Sequence, residues 1–82
     1  MGDVRYIVYG ADYCTYCTKA KELLESKEVE FIYVNLENDY DEIRKTSEFY
    51  DWYSIPIVVE NNNNSGEVKL IGGYTELMRR VG

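Results

Sequence analysis

Residues 4–17 read Val4-Arg5-Tyr6-Ile7-Val8-Tyr9-Gly10-Ala11-Asp12-Tyr13-Cys14-Thr15-Tyr16-Cys17. Val4 to Tyr9 is a compact apolar run of β-branched and aromatic residues, short enough for a strand and apolar enough to be covered on both faces. Two cysteines follow where this run gives way to a helical pattern. From Thr15 to about Ser26, Cys17, Ala20, Leu23 and Leu24 recur at helical spacing while Lys19, Lys21, Glu22 and Glu25 face outward. Glu30 to Leu36 is again strand-like, and strand, helix, strand at this spacing makes a βαβ unit with a right-handed crossover.

Working toward the C-terminus, a second helix is expected from Asp39 to Tyr50. Asp39 or Asn38 is its cap, and Tyr40, Ile43, Ser47 and Tyr50 share one face. Ile55 to Glu60 and Glu67 to Ile71 read as strands joined by the polar stretch Asn61 to Gly66, which suits a hairpin loop. Gly72-Gly73 ends the last strand, and Tyr74 to Val81 is a closing helix with Leu77, Met78 and Val81 inward. The order βαβαββα belongs to the α/β class, and residues 1–82 form one domain with no internal repeat or linker.

The 82 residues carry a formal charge of −6, which argues against nucleic acid, whose binding rests on neutralising phosphates with Lys and Arg. No apolar run approaches the roughly 18 residues needed to cross a bilayer, and no secretion signal opens the chain. The expected location is the cytoplasm, with no membrane partner. Met1-Gly2 fails as a lipidation start because Tyr6 stands where Ser or Thr is needed. Asn63-Asn64-Ser65 matches the glycosylation acceptor pattern, which acts only in secreted chains, and reads as chance.

Cys14 and Cys17 are the only cysteines, and there is no histidine. A structural zinc site wants four thiolate or imidazole ligands, so no metal is expected in a single chain. A structural disulfide closing so small a loop removes little entropy from the unfolded chain. Two inert buried thiols fit only half the pair, because Cys14 precedes the helix while Cys17 lies on its apolar stripe. Redox chemistry remains.

If the helix begins at Thr15, Cys14 occupies the cap position, facing the unpaired N–H groups of Tyr16 and Cys17. Cysteines at helix starts fall from a pKa near 8.5 toward roughly 3.5–7.5, so a thiolate is expected at Cys14. Cys14 is then the nucleophile. Cys17, one turn on, can attack a mixed disulfide at Cys14 and release the partner reduced. Asp12 opposes the thiolate if its carboxylate comes close.

With this two-cysteine turn, the later Ser54-Ile55-Pro56 and the Gly72-Gly73-Tyr74-Thr75-Glu76 before the last helix, the chain resembles the glutaredoxins over nearly its full length. The resemblance implies a thioredoxin-like fold, a four-stranded mixed sheet flanked by three helices. It also implies a glutathione-dependent dithiol-disulfide oxidoreductase that carries electrons, as a monomer, to disulfide-bearing proteins such as ribonucleotide reductase, or to glutathione mixed disulfides. By the same likeness Pro56 is cis and the backbone of Ile55 pairs with the cysteinyl part of glutathione. Tyr16 shapes the groove wall, and Gly73, Thr75 and Glu76 hold the γ-glutamyl end. The short chain is similar to small phage-encoded members.

The sequence also departs from that family. Thr15 replaces the common proline between the cysteines, and Ala11 replaces a lysine three residues before the first. Asp51, Trp52 and Tyr53 stand where a basic residue often meets the glycyl carboxylate, leaving Arg44, Lys45 and Lys19 as candidate substitutes. Two alternatives follow. One is a redoxin reduced by thioredoxin reductase, which the missing cations favour. The other is a module in which the first cysteine and glutathione hold a 2Fe–2S cluster between two chains, as in some relatives lacking that proline.

Overall fold

The computed structural model describes residues 3–82. Met1-Gly2, weighed above as a lipidation start, lies outside the described residues. The elements are β1 (Val4–Gly10), α1 (Thr15–Ser26), β2 (Phe31–Asn35), α2 (Tyr40–Tyr50), β3 (Ile57–Asn62), β4 (Val68–Gly72) and α3 (Tyr74–Val81). They form a four-stranded mixed sheet in the order β2-β1-β3-β4. β1 runs parallel to β2, with Val8 opposite Tyr33, and antiparallel to β3, with Val8 opposite Val58. β4 completes the sheet antiparallel to β3.

Strand alternation divides the apolar residues between two faces. Tyr6 and Val8 of β1 and Val58 of β3 pack with Ala20 and Leu24 of α1 and Leu77 of α3 into one buried cluster. Leu24 and Leu77 are fully buried, each contributing roughly 1.5–3 kcal/mol by leaving water. On the opposite face the Tyr9 and Tyr50 rings meet at 6.4 Å, which seats α2 there. Val59 and Ile57 of β3 are also fully buried.

Several expectations shift. β3 begins at Ile57 rather than Ile55, because Pro56 has no N–H for the ladder and the Ile55 carbonyl faces Cys14 instead. The Ile55–Pro56 peptide bond is cis. Met78 is 44% exposed, whereas Leu77 is buried. Successive helical residues point about 100° apart, so this narrow contact takes one of the two. In α2 the stripe narrows to Ile43, Ser47 and Tyr50, and Tyr40 in the first turn stays 74% exposed.

The asparagine stretch is more ordered than its composition suggests. β3 continues through Asn61 and Asn62, which pair with Arg5 and Val4. The Asn62 side-chain oxygen accepts the N–H groups of Asn64 and Ser65, and Gly66 takes the positive φ of 76° that closes the turn.

Candidate active site

The two cysteines stand where β1 ends and α1 begins. Cys14 is the N-cap of α1, with extended backbone angles, and its Sγ accepts the Cys17 N–H at 3.2 Å. Of the two amides expected to meet this sulfur, Cys17 makes the bond and Tyr16 does not. From across the sheet the Ile55 carbonyl accepts from Cys14 Sγ at 3.8 Å. Both thiols are free, Cys14 partly exposed and Cys17 fully buried.

Burial pushes the Cys17 thiol up to about 12, helped by the hydrogen bond and charge of Cys14 and opposed by the Ala11 backbone and Lys21. Gly10 makes this packing possible. A Cβ there would stand 2.5 Å from Cys17 Sγ and 3.2 Å from the Tyr33 hydroxyl. The Asp12 carboxylate accepts from the Asn35 amide at 3.0 Å.

Beside Ile55 runs a groove of about 190 Å³, lined by Tyr16, Trp52, Ser54, Ile55, Pro56, Gly73, Tyr74, Thr75 and Glu76. Tyr16, Ile55, Pro56, Gly73, Thr75 and Glu76, the residues matched by resemblance to the glutathione segments, all line it. The Tyr16 ring lies 5.9 Å from that of Tyr74. Glu76 reaches back to accept the Gly73 N–H at 3.0 Å, so its carboxylate shapes the start of α3. Of the three candidate cations, Lys19 sits 5.3 Å from the Tyr16 ring centre, whereas Arg44 and Lys45 pair within α2 with Asp41 and Glu42.

Trp52, Ser54 and Tyr74 join the groove without having been singled out as lining residues. Trp52 is delivered by the end of α2: Asp51 adopts φ 55° and the Trp52 N–H returns to the Ser47 carbonyl at 3.0 Å. Its indole N–H is buried without a partner. The signal available was the lone tryptophan two residues before Ser54-Ile55-Pro56.

A partly exposed sulfur backed by a buried one, at the head of a helix on a β2-β1-β3-β4 sheet, defines a thiol-disulfide oxidoreductase of thioredoxin-like fold. The glutaredoxin family model matches residues 6–63. The chain belongs to the glutaredoxin family. Buckwheat glutaredoxin, solved as a complex with glutathione, superposes with a TM-score of 0.76 at 22% identity, covering 94% of this chain and 67% of that one. Wheat glutaredoxin gives 0.71 at 25%, covering 95% and 70%. The glutaredoxin of Archaeoglobus fulgidus gives 0.69 at 24%, covering 98% and 87%. A search of curated proteins finds no match. Among the described residues no helix is long and apolar enough to cross a membrane.

Proposed function

We propose that Cys14 attacks disulfides, that Cys17 resolves the adduct, and that glutathione restores the pair. The supporting observation is the position of Cys14 Sγ, 3.2 Å from the Cys17 N–H and 3.8 Å from the Ile55 carbonyl. The amide stabilises negative charge on sulfur, and partial exposure admits a substrate. The Cys14 thiolate attacks one sulfur of a disulfide, forming a mixed disulfide and expelling the other as thiolate. Cys17 then attacks Cys14 Sγ, forming the Cys14–Cys17 disulfide and releasing the second partner thiol. The partner gains two electrons and the pair loses them. Two glutathione thiols return them and leave as glutathione disulfide.

The groove chemistry fits glutathione. Ile55 lies outside the β3 ladder beside the groove, where its backbone can pair with a peptide, and the first turn of α3 has amides without helical partners for a carboxylate. Tyr16, Pro56, Gly73, Thr75 and Glu76 complete the walls. We read residues 1–82 as one domain acting as a cytoplasmic monomer, with protein disulfides of the ribonucleotide reductase kind as acceptors.

The test is turnover of a glutathione mixed disulfide with NADPH, glutathione and glutathione reductase, run beside the same protein with thioredoxin reductase. Turnover in the first is expected. Response only to thioredoxin reductase would overturn the glutathione assignment. Cys17→Ser keeps exchange with glutathionylated substrate and loses reduction of protein disulfides; Cys14→Ser loses both.

A further inference from the structure

We propose that Tyr33 is a positioning residue for the second thiol: its buried phenol donates a hydrogen bond to Cys17 Sγ as that sulfur gains negative charge, with Lys21 strengthening the donor from the ring face. This rests on the assignment of Cys17 as the resolving thiol.

The geometry comes first. Val8 and Gly10 of β1 share the sheet face on which α1 packs, and Tyr33 of β2 is the register partner of Val8. Tyr33 therefore points to the same sheet face as Gly10, against which Cys17 packs. The Tyr33 hydroxyl and Cys17 Sγ both crowd the position where Gly10 lacks a Cβ, at 3.2 Å and 2.5 Å. The hydroxyl is buried and has no hydrogen-bond partner. A buried O–H without an acceptor is costly, and one beside a sulfur that must ionise has an acceptor once it does.

Lys21 supplies a second, independent observation. It lies one turn past Cys17 on α1, and its ammonium stands 4.1 Å from the centre of the Tyr33 ring. A cation on the ring face draws electron density from the phenol and makes its O–H a stronger donor.

The charge balance at the site explains the need. Burial holds the resting Cys17 as a thiol, and the charge of Cys14 adds to this. Once Cys14 is tied into a mixed disulfide its charge is gone, but the burial remains. The groups left to favour a Cys17 thiolate are the Ala11 backbone and Lys21, to which the proposed bond from Tyr33 adds. Tyr33 is itself pushed up to about 12, first by burial and then by the charges of Cys17, Asp12, Cys14 and Glu37. It stays protonated and acts as donor, not base.

In the resolving step the Cys17–Cys14 bond forms and the bond from Cys14 to the partner sulfur breaks. The pair gives up two electrons, and the Cys17 proton ends on the departing partner thiol. Tyr33 keeps its own proton throughout.

The test uses Tyr33→Phe, which retains the ring beneath Lys21 and removes only the O–H, and Lys21→Met, which keeps the stem and removes the charge. A disulfide peptide is mixed with reduced protein and the reaction quenched at intervals. The first attack is timed in a Cys17→Ser background, and the second by release of the remaining peptide thiol with both cysteines present. Tyr33→Phe is expected to slow the second step by about tenfold or more, the effect of one hydrogen bond to a charged group, while the first keeps its rate. Lys21→Met slows the same step to a smaller degree. An unchanged second step in Tyr33→Phe, or equal slowing of both steps, overturns the role of Tyr33 alone. A peptide adduct on Cys17 instead of Cys14 overturns the assignment of the two thiols, and the proposal with it.

Discussion

Cys14 Sγ and the carbonyl oxygen of Ile55 lie 3.8 Å apart across 41 residues of sequence. The reactive end of α1 and the loop entering β3 therefore form one site only when β1 and β3 are paired. Thiol reactivity consequently reports on native structure as well as chemistry.

Alkylation should separate the thiols sharply. Cys17 is fully buried and its proton is held up to about 12, while Cys14 is partly exposed. In the folded reduced protein at about pH 8, iodoacetamide should label Cys14 at least tenfold faster than Cys17, and in urea the two should label alike. Peptide mapping by mass spectrometry reads the ratio. Comparable labelling of the folded protein would contradict the packing around Gly10.

Gly10→Ala places a methyl group 2.5 Å from Cys17 Sγ, on a backbone with little room to retreat. Overpacking of this kind costs about 1–3 kcal/mol. The urea midpoint should fall accordingly, and Cys17-dependent reduction of protein disulfides should fall with it. A wild-type midpoint would show that the Cys17 side chain can move aside.

Glu60 anchors α3 to the sheet. Its carboxylate, with the side chain 11% exposed, accepts the Tyr6 hydroxyl at 2.7 Å and two Arg80 donors at 2.9 Å. The Arg80 hydrogen bond leads in holding the Glu60 carboxyl below its ordinary 4.5, against the opposing effect of burial. The stabilisation is therefore complete above pH 4.5 and is lost as pH falls through the lower folded value. Glu60→Gln should cost about 1–2 kcal/mol near neutrality, discounted because Arg80 is half exposed. Urea titrations across pH should show wild type and variant converging in acid. A constant gap would assign the effect to packing.

Glu76 tests the start of α3. Glu76→Gln retains an acceptor for the Gly73 N–H and should leave stability within about 0.5 kcal/mol, whereas Glu76→Ala should cost about 1 kcal/mol. Because Gly73 and Glu76 both line the groove, only the alanine variant should raise the KM for glutathione several-fold. Equal effects of both variants would mean that the charge, not the cap, matters.

All seven elements were legible in the sequence, because strand and helix periods are local signals and Cys14, Asp39 and Gly73 mark the helix starts. Tyr16, Ile55, Pro56, Gly73, Thr75 and Glu76 were legible only as motif matches, and the fold gathers them into one groove. Tyr33 and Trp52 were not. The hydroxyl of Tyr33 is brought beside Gly10, as is Cys17, by the register of two strands, and Trp52 follows a left-handed residue at the end of α2. Strand register leaves no trace in neighbouring residues, and the left-handed turn leaves none beyond the place of the lone tryptophan just before Ser54. Met78 and Leu77 were indistinguishable for the opposite reason, being adjacent apolar positions on a short stripe.

The antiparallel pairing of β1 with β3 sets Tyr9 against Ile57 at the thiol end and Val4 against Asn62 at the other. The turn built on Asn62 thus projects from the pole remote from the sulfurs, a strand length of roughly 20 Å away. Asn64 is therefore the natural anchorage for a fluorophore or a surface tether: a label fixed there rides on the molecule while electrons pass at the far end undisturbed.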